Sequence, residues 1–509
     1  MHPLIQPKKA LLFLVALACF KVLSGAQAVV PPPDGGYPNF TTAEGDRALE
    51  SLASGVQNTA VGAFSLFSVT TGNYNTAVGA GALEFNLGDS NTATGTAALI
   101  FNTTGAENTA LGTAALELND TGFDNTATGA FALFNNTTGN NNTATGFEAL
   151  ASNTEGLNNA ADGAFALTSN TIGLGDTATG QAALFSNTTG NNNTACGLSA
   201  LLNNTTANGN TAVGTQALQA NTTATADFNT AVGFQALFNN TSSGGLFGRG
   251  NTAVGASALF ANTTGTENTA IGFQALSSNT TGGDNIAIGP GALQGLTTGS
   301  LNTVIGRDAG FNIITAGAVT CIGANIAGDD ASNTCYIGYI FGVTTQNNDA
   351  IPVLVDSHNQ LGTVSSSRRF KTDIKPMDKA SESILALKPV SFRYKVHKDA
   401  TPQFGLIAED VAEVNPNLVV YDADGKPYTV RYDAVNAMLL NEFLKEHKTM
   451  QEQGTTIKQQ RKEFETAIAQ QKKEIEALTA TVKEQAAQIQ KVSAQLELSK
   501  AAPQTVLNH

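Results

Sequence analysis

Tryptophan is absent from the 509-residue sequence, and cysteine, histidine and positive charge are scarce over most of its length. The five histidines are scattered and no H-E-x-x-H motif is present, so the sequence indicates neither a metal site nor another cofactor. Missing tryptophan and sparse charge are typical of a core made of stacked small residues. A chain of this length is expected to form several structural units.

Positive charge is almost missing from residues 29–365, which contain three arginines and 22 acidic residues and carry a net charge of −19. Residues 366–509 are different, because their 21 basic and 19 acidic residues leave a net charge of +2. A long segment of strongly negative charge repels nucleic-acid phosphates and anionic membrane surfaces. Nucleic acid and membranes are therefore not predicted partners.

No apolar run is long enough to span a bilayer, and the most apolar one, Ala10–Phe20, has eleven residues. Two lysines precede this run and the small residues Ala26 and Ala28 follow it, which is the pattern of a bacterial-type secretory signal peptide. We predict cleavage after Ala28 and a secreted or cell-surface protein. An uncleaved anchor would need a longer run, and lipid attachment at Cys19 would favour a small residue where Leu17 stands.

Beyond a proline-containing linker predicted over residues 29–56, the chain repeats the element N-T-A-x-G-x-x-A-L followed by a polar turn such as N-N-T-T-G-N. Most repeats are 17 residues long, and a fixed period indicates one structural unit per repeat, stacked along an axis. The closing glycine of the N-T-A-x-G element lies at positions 62, 79, 95, 112, 129, 146, 163, 180, 197, 214, 233, 255, 272, 289, 306, 323 and 338.

The residues within each repeat predict how the units stack. The N-T-A-x-G element suits a short strand that its neighbours approach closely, and N-T-T-G is turn chemistry. Equivalent asparagines and leucines would then form ladders, so residues 57–341 predict a mainly β fold, a parallel β-solenoid or β-roll. The A-L segment could be a second strand or one helical turn. The Asn-x-Thr triplets fit turns and ladders better than glycan acceptors, because they keep a fixed place in the period.

These repeats resemble the head domains of trimeric autotransporter adhesins, in which N-S-x-A-x-G repeats form a left-handed parallel β-roll within a trimer. The asparagine and glycine positions match, whereas the period of 17 is longer than is usual in those heads. The resemblance implies a trimeric, adhesin-like fibre.

Cys321 and Cys335 are about one repeat apart, and an exported protein could join them by a disulfide. However, they stand at different positions relative to the closing glycines, and adjacent strand positions point to opposite faces. We therefore favour unpaired cysteines.

From Gly342 the repeats stop, and the sequence becomes ordinary mixed sequence. Residues 342–365 predict a connector and residues 366–436 a small α/β domain. The predicted elements are a strand at Ile351–Val355, a short helix capped by Asp378, a strand at Val390–Tyr394, a helix at Glu409–Val414 and a hairpin turn at Asp424 and Gly425.

Four motifs of this region occur in an informative order: S-S-R-R-F-K-T-D-I at 366–374, S-F-R-Y at 391–394, F-G-L-I-A-E-D-V at 404–411, and the segment from Tyr432 to Leu444. Together they resemble the intramolecular chaperone domain of phage endosialidases and tail fibres. The resemblance implies a domain that trimerises, guides folding of the preceding fibre and then cuts itself off.

Carried over residue by residue, the resemblance implies that Ser366 is the nucleophile, Lys371 is the base and the Ser365–Ser366 bond is cut. The family usually has Asp directly after the nucleophile and Leu before the lysine, where this chain has Ser367 and Phe370.

The chemistry of such a pair is plausible on its own. A serine hydroxyl becomes nucleophilic when a neighbouring base takes its proton, and lysine serves when burial or nearby positive charge, here from Arg368 and Arg369, lowers its pKa. A serine that attacks the peptide bond on its own amino side needs no substrate pocket and reacts once. The alternative is a solvated linker of serines and basic residues.

Residues 437–500 keep a heptad spacing that predicts a coiled coil, with 501–509 as a tail. A solitary surface helix is the alternative. The two apolar seams of the heptad pattern consist of Leu440, Ile468, Ile475, Val482, Ile489 and Leu496, and of Phe443, Met450, Ile457, Phe464, Leu478 and Val492.

Taken together, these features predict an exported homotrimeric fibre whose C-terminal chaperone assembles it and is then released. The alternative is a non-cleaving adhesin with a permanent trimerisation domain. The sequence identifies no surface ligand or receptor.

Overall fold

The computed structural model describes residues 38–500, except 223–224, 242–247, 344, 347–348, 357 and 396–400. The predicted signal peptide, its cleavage position at Ala28 and the tail 501–509 lie outside the described residues. The chain divides into two units between residues 344 and 345. No helix among the described residues is both long and apolar enough to cross a membrane.

The first unit is a parallel β-solenoid, as the repeat predicts. Each coil contributes one three-residue strand, and each strand pairs in parallel with the strand of the next coil. The described part of the ladder has the strands β1 Thr42–Glu44, β2 Thr59–Val61, β3 Thr76–Val78, β4 Thr92–Thr94, β5 Thr109–Leu111, β6 Thr126–Thr128, β7 Thr143–Thr145, β8 Ala160–Asp162, β9 Thr177–Thr179, β10 Thr194–Cys196, β11 Thr211–Val213, β12 Thr230–Val232, β13 Thr252–Val254, β14 Thr269–Ile271, β15 Ile286–Ile288, β16 Thr303–Ile305, β17 Thr320–Ile322 and β18 Cys335–Ile337.

Identical positions pair along the whole ladder. Thr126 pairs with Thr143 and Ala127 with Ala144, and the central residue of each strand from β2 to β17, alanine in most of them, is buried. The closing glycine is required by both conformation and space. Gly146 has a φ of +130°, and a Cβ added there would lie 2.6 Å from the carbonyl oxygen of Gly163 in the next coil. Coils can stack this closely only where no side chain intervenes.

The A-L segment is neither of the two structures considered from sequence. It is a turn in which the leucines from Leu66 to Leu293 have φ values of 47–53° and are fully buried. Its amides bond to the neighbouring coil, as from Leu83 N to Ala98 O at 3.0 Å. A left-handed backbone costs a leucine about 1–2 kcal/mol, and burial of the side chain returns about 1.5–3 kcal/mol. Stacking therefore holds a conformation that an isolated repeat would not keep.

Two columns of buried asparagines run along the solenoid. In the first, the Asn125 side chain donates from Nδ2 to Asn108 Oδ1 at 3.1 Å and to the Gly139 carbonyl at 2.8 Å. In the second, Asn119 Nδ2 donates to Asn102 Oδ1 at 2.6 Å and to the Gly122 carbonyl at 2.9 Å. An asparagine can do this because its side chain carries both donors and an acceptor.

The ladder begins one coil earlier than the repeat pattern predicts. Strand β1 lies in the segment assigned to the linker, and it pairs with β2 in register. Thr41 occupies the position where the later coils have asparagine, and this substitution hides the first coil in the sequence. Cys321 and Cys335 are free, as favoured; Cys321 is buried, whereas Cys335 is exposed on the neighbouring strand.

The second unit contains three antiparallel strand pairs, two α-helices and three 3-10 helices within its described residues. The pairs are β19 Leu354–Val355 with β20 Leu361–Gly362, β21 Val390–Phe392 with β22 Gln403–Gly405, and β23 Val419–Tyr421 with β24 Pro427–Val430. The helices are α1 Ala408–Val414 and α2 Tyr432–Lys500, and the 3-10 helices are Arg368–Phe370, Asp378–Ala386 and Pro416–Leu418.

Several boundaries in this unit differ from those predicted. The strand expected from Ile351 is confined to β19, and the one expected to end at Tyr394 ends at Phe392. The short helix after residue 377 is a 3-10 helix whose N-cap is Met377, so Asp378 is not its cap. The predicted hairpin at Asp424 and Gly425 is confirmed by the pairing of β23 with β24.

Helix α2 covers the whole of the predicted coiled-coil segment as one 69-residue helix. Its apolar residues on the two seams are exposed in the single chain; Ile468, for example, is 61% exposed and Ile475 is 64% exposed. The coiled coil itself remains a prediction.

Candidate functional site

Residues 365–376 surround the predicted cut, and we call them the cleavage stretch. They contain a short 3-10 turn at Arg368–Phe370. Ser367 is its N-cap and accepts a hydrogen bond from Phe370 N at 3.0 Å, and Lys371 N closes the turn on the Arg368 carbonyl at 3.1 Å. The Ser365 hydroxyl accepts from Ser367 N at 3.2 Å. The Arg369 guanidinium lies over the Phe370 ring, 4.6 Å from its centroid. The predicted nucleophile, Ser366, therefore lies just before this turn, and the predicted base, Lys371, lies at its end.

The structure places Ser366 and Lys371 on this turn without joining them. Among the described residues no hydrogen bond connects the Ser366 hydroxyl to the Lys371 ammonium, and every residue from 361 to 376 that the structure describes is exposed. Among the described residues none buries this stretch, so Ser366 and Lys371 are exposed to solvent in the single chain.

The other three sequence motifs of the second unit contact one another in the fold. Strand β21 contains Phe392, which packs edge-on against Tyr394 with ring centroids 5.4 Å apart. Its partner strand β22 leads into Leu406, whose amide donates to the Tyr432 hydroxyl at 3.1 Å. The N-terminus of α2 is thus hydrogen-bonded to the segment that precedes α1. We call the elements from β21 to the start of α2 the frame.

A small apolar core holds this frame together. Its buried members come from α1, the 3-10 helix before β23, the β23–β24 hairpin and α2, and partly buried Met377, Ile384 and Leu387 pack against them. The core is what fixes the 3-10 helix Asp378–Ala386 to the rest of the unit. The buried members are Val411, Leu418, Val419, Val430 and Met438.

A buried polar cluster, which the sequence did not predict, joins the same 3-10 helix to α2. Ser381 is fully buried, and its hydroxyl donates to Glu442 and accepts from Asn441 Nδ2 at 2.7 Å. Lys445 Nζ lies 2.7 Å from Glu442 Oε1 and 3.4 Å from Ser381 Oγ. Hydrogen bonds from Lys445 and Ser381 lower the pKa of Glu442, and the bond to Glu442 raises the pKa of Lys445. We call Ser381, Asn441, Glu442 and Lys445 the polar cluster.

No group of three or more histidine, cysteine or acidic side chains in the described part of the chain is arranged to hold a metal ion.

Part of this frame matches a known family. Residues 366–420 match the family model described as chaperone of endosialidase. This match confirms the predicted resemblance. We call residues 366–420 the chaperone segment, and this segment follows a β-solenoid, as predicted. Its first matched residue is Ser366 and its last lies in β23. No curated protein and no solved structure matches the chain.

Together, the chaperone segment and the solenoid before it fit a tail-fibre-like protein.

Proposed function

We propose that this protein is an exported homotrimeric fibre whose chaperone segment directs assembly and then releases itself by cutting the Ser365–Ser366 bond. The observation that carries the proposal is where the family match starts. It begins at Ser366, the residue that follows the proposed cut, so the chaperone segment and the proposed released fragment share one N-terminus.

The solenoid gives a physical reason for an assembly factor. Threonine lies beside threonine and alanine beside alanine through most of the ladder, and its repeats are nearly identical. A misalignment by one whole coil would keep almost every such pair, so the repeats alone specify their register weakly. A chaperone that aligns the chains before stacking begins removes this ambiguity.

The long helix supports self-association. Its seam residues are exposed along the single chain, from Leu440 at 59% to Leu496 at 57%. Exposed apolar residues at heptad spacing are stabilised when helices pack with these seams inward. The partner we propose is two further copies of the same chain, in line with the chaperone resemblance.

The proposed cleavage balances as a serine-mediated acyl transfer. Neutral Lys371 accepts the Ser366 hydroxyl proton as the oxygen attacks the Ser365 carbonyl carbon. The Ser365–Ser366 C–N bond breaks, the Ser366 amine takes the proton, and an ester forms on the Ser366 oxygen. Water then hydrolyses this ester, leaving a carboxylate on Ser365 and restoring the Ser366 hydroxyl.

This account predicts that the chain 29–509 is recovered as two fragments, 29–365 and 366–509. Ser366→Ala removes the nucleophile and Lys371→Ala removes the base, so both variants should remain uncut. Lys375→Ala is the matched control, because Lys375 is another exposed lysine on the same stretch, and it should be cut like the parent. Intact-mass spectrometry under denaturing conditions distinguishes these products.

A second candidate is a fibre in which the chaperone segment stays attached as a trimerisation domain. The observation in its favour is that Ser366 and Lys371 are exposed and unjoined in the single chain. An uncut parent that still forms trimers would establish this function and remove the catalytic roles of both residues.

A further inference from the structure

The polar cluster lies on the face of α2 that is turned towards the 3-10 helix Asp378–Ala386. Met438, Asn441, Glu442 and Lys445 follow one another at helical spacing, and Met438 is buried in the core of the unit. Glu442 is largely buried, with 15% of its side chain exposed, and Lys445 is 37% exposed. This part of α2 therefore has an inner face that is apolar at Met438 and polar over the next two turns.

The opposite face of the same turns is apolar and exposed. Leu440, Phe443 and Leu444 are each between 56% and 59% exposed, and the first two begin the two predicted seams. A helix with two differentiated faces can contact two bodies at once. Here one face holds the 3-10 helix, and the other carries the residues through which we propose that the copies associate.

Within the described part of the chain, the cleavage stretch is exposed and makes only local hydrogen bonds. Its residues are exposed up to position 376. The first groups after it that contact the core or α2 are Met377, which is partly buried, the Asp378 carbonyl, which accepts from Asn441 Nδ2 at 3.3 Å, and Ser381. In sequence, these are the contacts with the core or α2 that lie nearest to the scissile bond on its C-terminal side. The same 3-10 helix accepts a further hydrogen bond, from Asn415 Nδ2 to Ser383 Oγ at 3.2 Å, and its Ile384 and the following Leu387 pack on the core.

A charged cluster is suited to fixing position rather than to adding stability. Burying the Ser381 hydroxyl and much of the Glu442 carboxylate costs free energy unless every partner is in place, so the arrangement tolerates only one alignment of the two elements. Apolar contacts such as those of Ile384 are less directional and tolerate small displacements of the 3-10 helix along α2. The three partners on α2 converge on one hydroxyl and define where the 3-10 helix sits along α2.

We propose that Ser381, Asn441, Glu442 and Lys445 position the Ser366–Lys371 stretch relative to the associating helix α2. They are positioning residues and take no part in bond breaking. This inference rests on the proposed function, because it assigns the cluster the task of bringing the scissile bond to the place that association creates. It also accounts for a Ser–Glu–Lys arrangement whose serine is fully buried.

The test uses the chain 29–509 with Glu442→Gln, which keeps the shape of the side chain and removes its charge. We expect cleavage to slow by roughly tenfold to a hundredfold, the usual penalty for a displacement of about 1 Å between reacting groups. The trimeric fraction, measured by size-exclusion chromatography with light scattering, should be unchanged, because the apolar face of α2 is intact. Lys445→Met should behave alike, and Lys445→Arg should retain most of the cleavage.

Glu452→Gln is the matched control. Glu452 lies on the same helix in an exposed ion pair with Lys448, and its loss should leave cleavage within about twofold of the parent, since exposed pairs contribute little. Parent-like cleavage in Glu442→Gln trimers would overturn the inference. So would a fall in cleavage that merely follows a fall in trimer content, or a product cut before Ser381 that disappears in Ser381→Ala.

A second measurement does not depend on cleavage. In chains that carry Ser366→Ala, adding Glu442→Gln should speed amide hydrogen exchange across residues 366–386 in the trimer and leave exchange in the middle of α2 unchanged. If the parent is never cut, the proposed chemistry fails while this result still supports the positioning role. Unchanged exchange in both segments would overturn that role, whatever the parent does.

Discussion

At the scale of single residues, the solenoid depends on a side chain that both donates and accepts. Asparagine occupies every position of the first column from Asn58 to Asn302 except one, where Asp176 stands. Asp176 is fully buried and accepts from Asn193 N at 2.8 Å and from Asn187 Nδ2 at 3.0 Å. Its carboxylate has no proton to offer Asn159, and burial raises its pKa to about 7 despite these donors.

Replacing this residue by asparagine should stabilise the solenoid in a pH-dependent way. Because the pKa of Asp176 is raised in the folded state, the folded chain holds a proton that the unfolded chain loses, and stability falls as pH rises from about 4 to about 7. Asp176→Asn removes this loss, which is on the order of 2–4 kcal/mol. Thermal unfolding followed by circular dichroism should show a higher melting temperature for the variant at pH 8 and little difference at pH 4.

Asp162→Asn is the control for that comparison, because Asp162 is an exposed acid on strand β8. It should shift the melting temperature little at either pH. An Asp176→Asn variant that matches the parent at pH 8 would show that the carboxylate is accommodated in the column without penalty.

At the scale of elements, the polar turn of a coil directs successive backbone amides towards a carbonyl oxygen of the next coil. The amides of Thr103, Thr104 and Gly105 all lie 3.1 Å from the Asp120 carbonyl oxygen. Near the C-terminal end of the ladder, the corresponding amides of residues 314–316 instead contact the Asp330 carboxylate at 2.7–3.0 Å. These backbone bonds lower the pKa of Asp330 to about 2. In the coil that leads into β18, the Asp330 carboxylate thus takes the place of the backbone carbonyl that accepts these amides elsewhere.

Removing this acceptor should loosen the contact between the last coils. We expect Asp330→Ala to speed hydrogen exchange at residues 314–316 at pH 7, because three amides lose their acceptor. A depressed pKa gives stability that is present above about pH 4 and lost as pH falls towards about 2, so parent and variant should converge at pH 2. Asp329→Ala, which removes only the bond to the Tyr336 hydroxyl, is the control and should leave those amides protected.

Helix α2 yields a prediction of the same scale. Ile475→Asp would place one carboxylate from each copy in the seam, where unpaired charges are strongly unfavourable. The variant should remain monomeric in light scattering and, because the cleavage stretch is exposed in the single chain, should also remain uncut. Ala480→Asp puts the same charge on the outer face of the helix and should assemble and cleave normally. Trimers of the Ile475→Asp chain would show that the seams are not the associating surface.

The repeat predicted the solenoid well because each coil repeats the same local rules, whereas its exceptions depend on stacking. Thr41 in place of asparagine concealed the first coil, and the left-handed leucines are stable only between neighbouring coils. In the second unit, the motifs found the chaperone segment and the hairpin. The polar cluster escaped because Ser381 and Glu442 are 61 positions apart, and no local pattern marks a contact of that separation.

At the scale of the whole molecule, the two units divide the tasks. The solenoid carries almost no positive charge and stacks through repeated ladders, and the second unit supplies a specific frame and a long helix with exposed seams. We infer that the second unit is needed during assembly and dispensable afterwards. Once it is cut away, an unfolded fibre cannot regain its register guide, so the finished trimer would persist because unfolding is slow rather than because it can refold.

The order of assembly and cleavage tests this account most directly. Denatured chains 29–509 that are returned to native buffer can be sampled over time by native mass spectrometry, which reports the oligomeric state and the covalent state of each species together. The account predicts that uncut trimers form first, and that they then yield trimers of 29–365 and free chaperone fragments. Cleaved monomers that precede any trimer, or trimers that stay uncut, would contradict it.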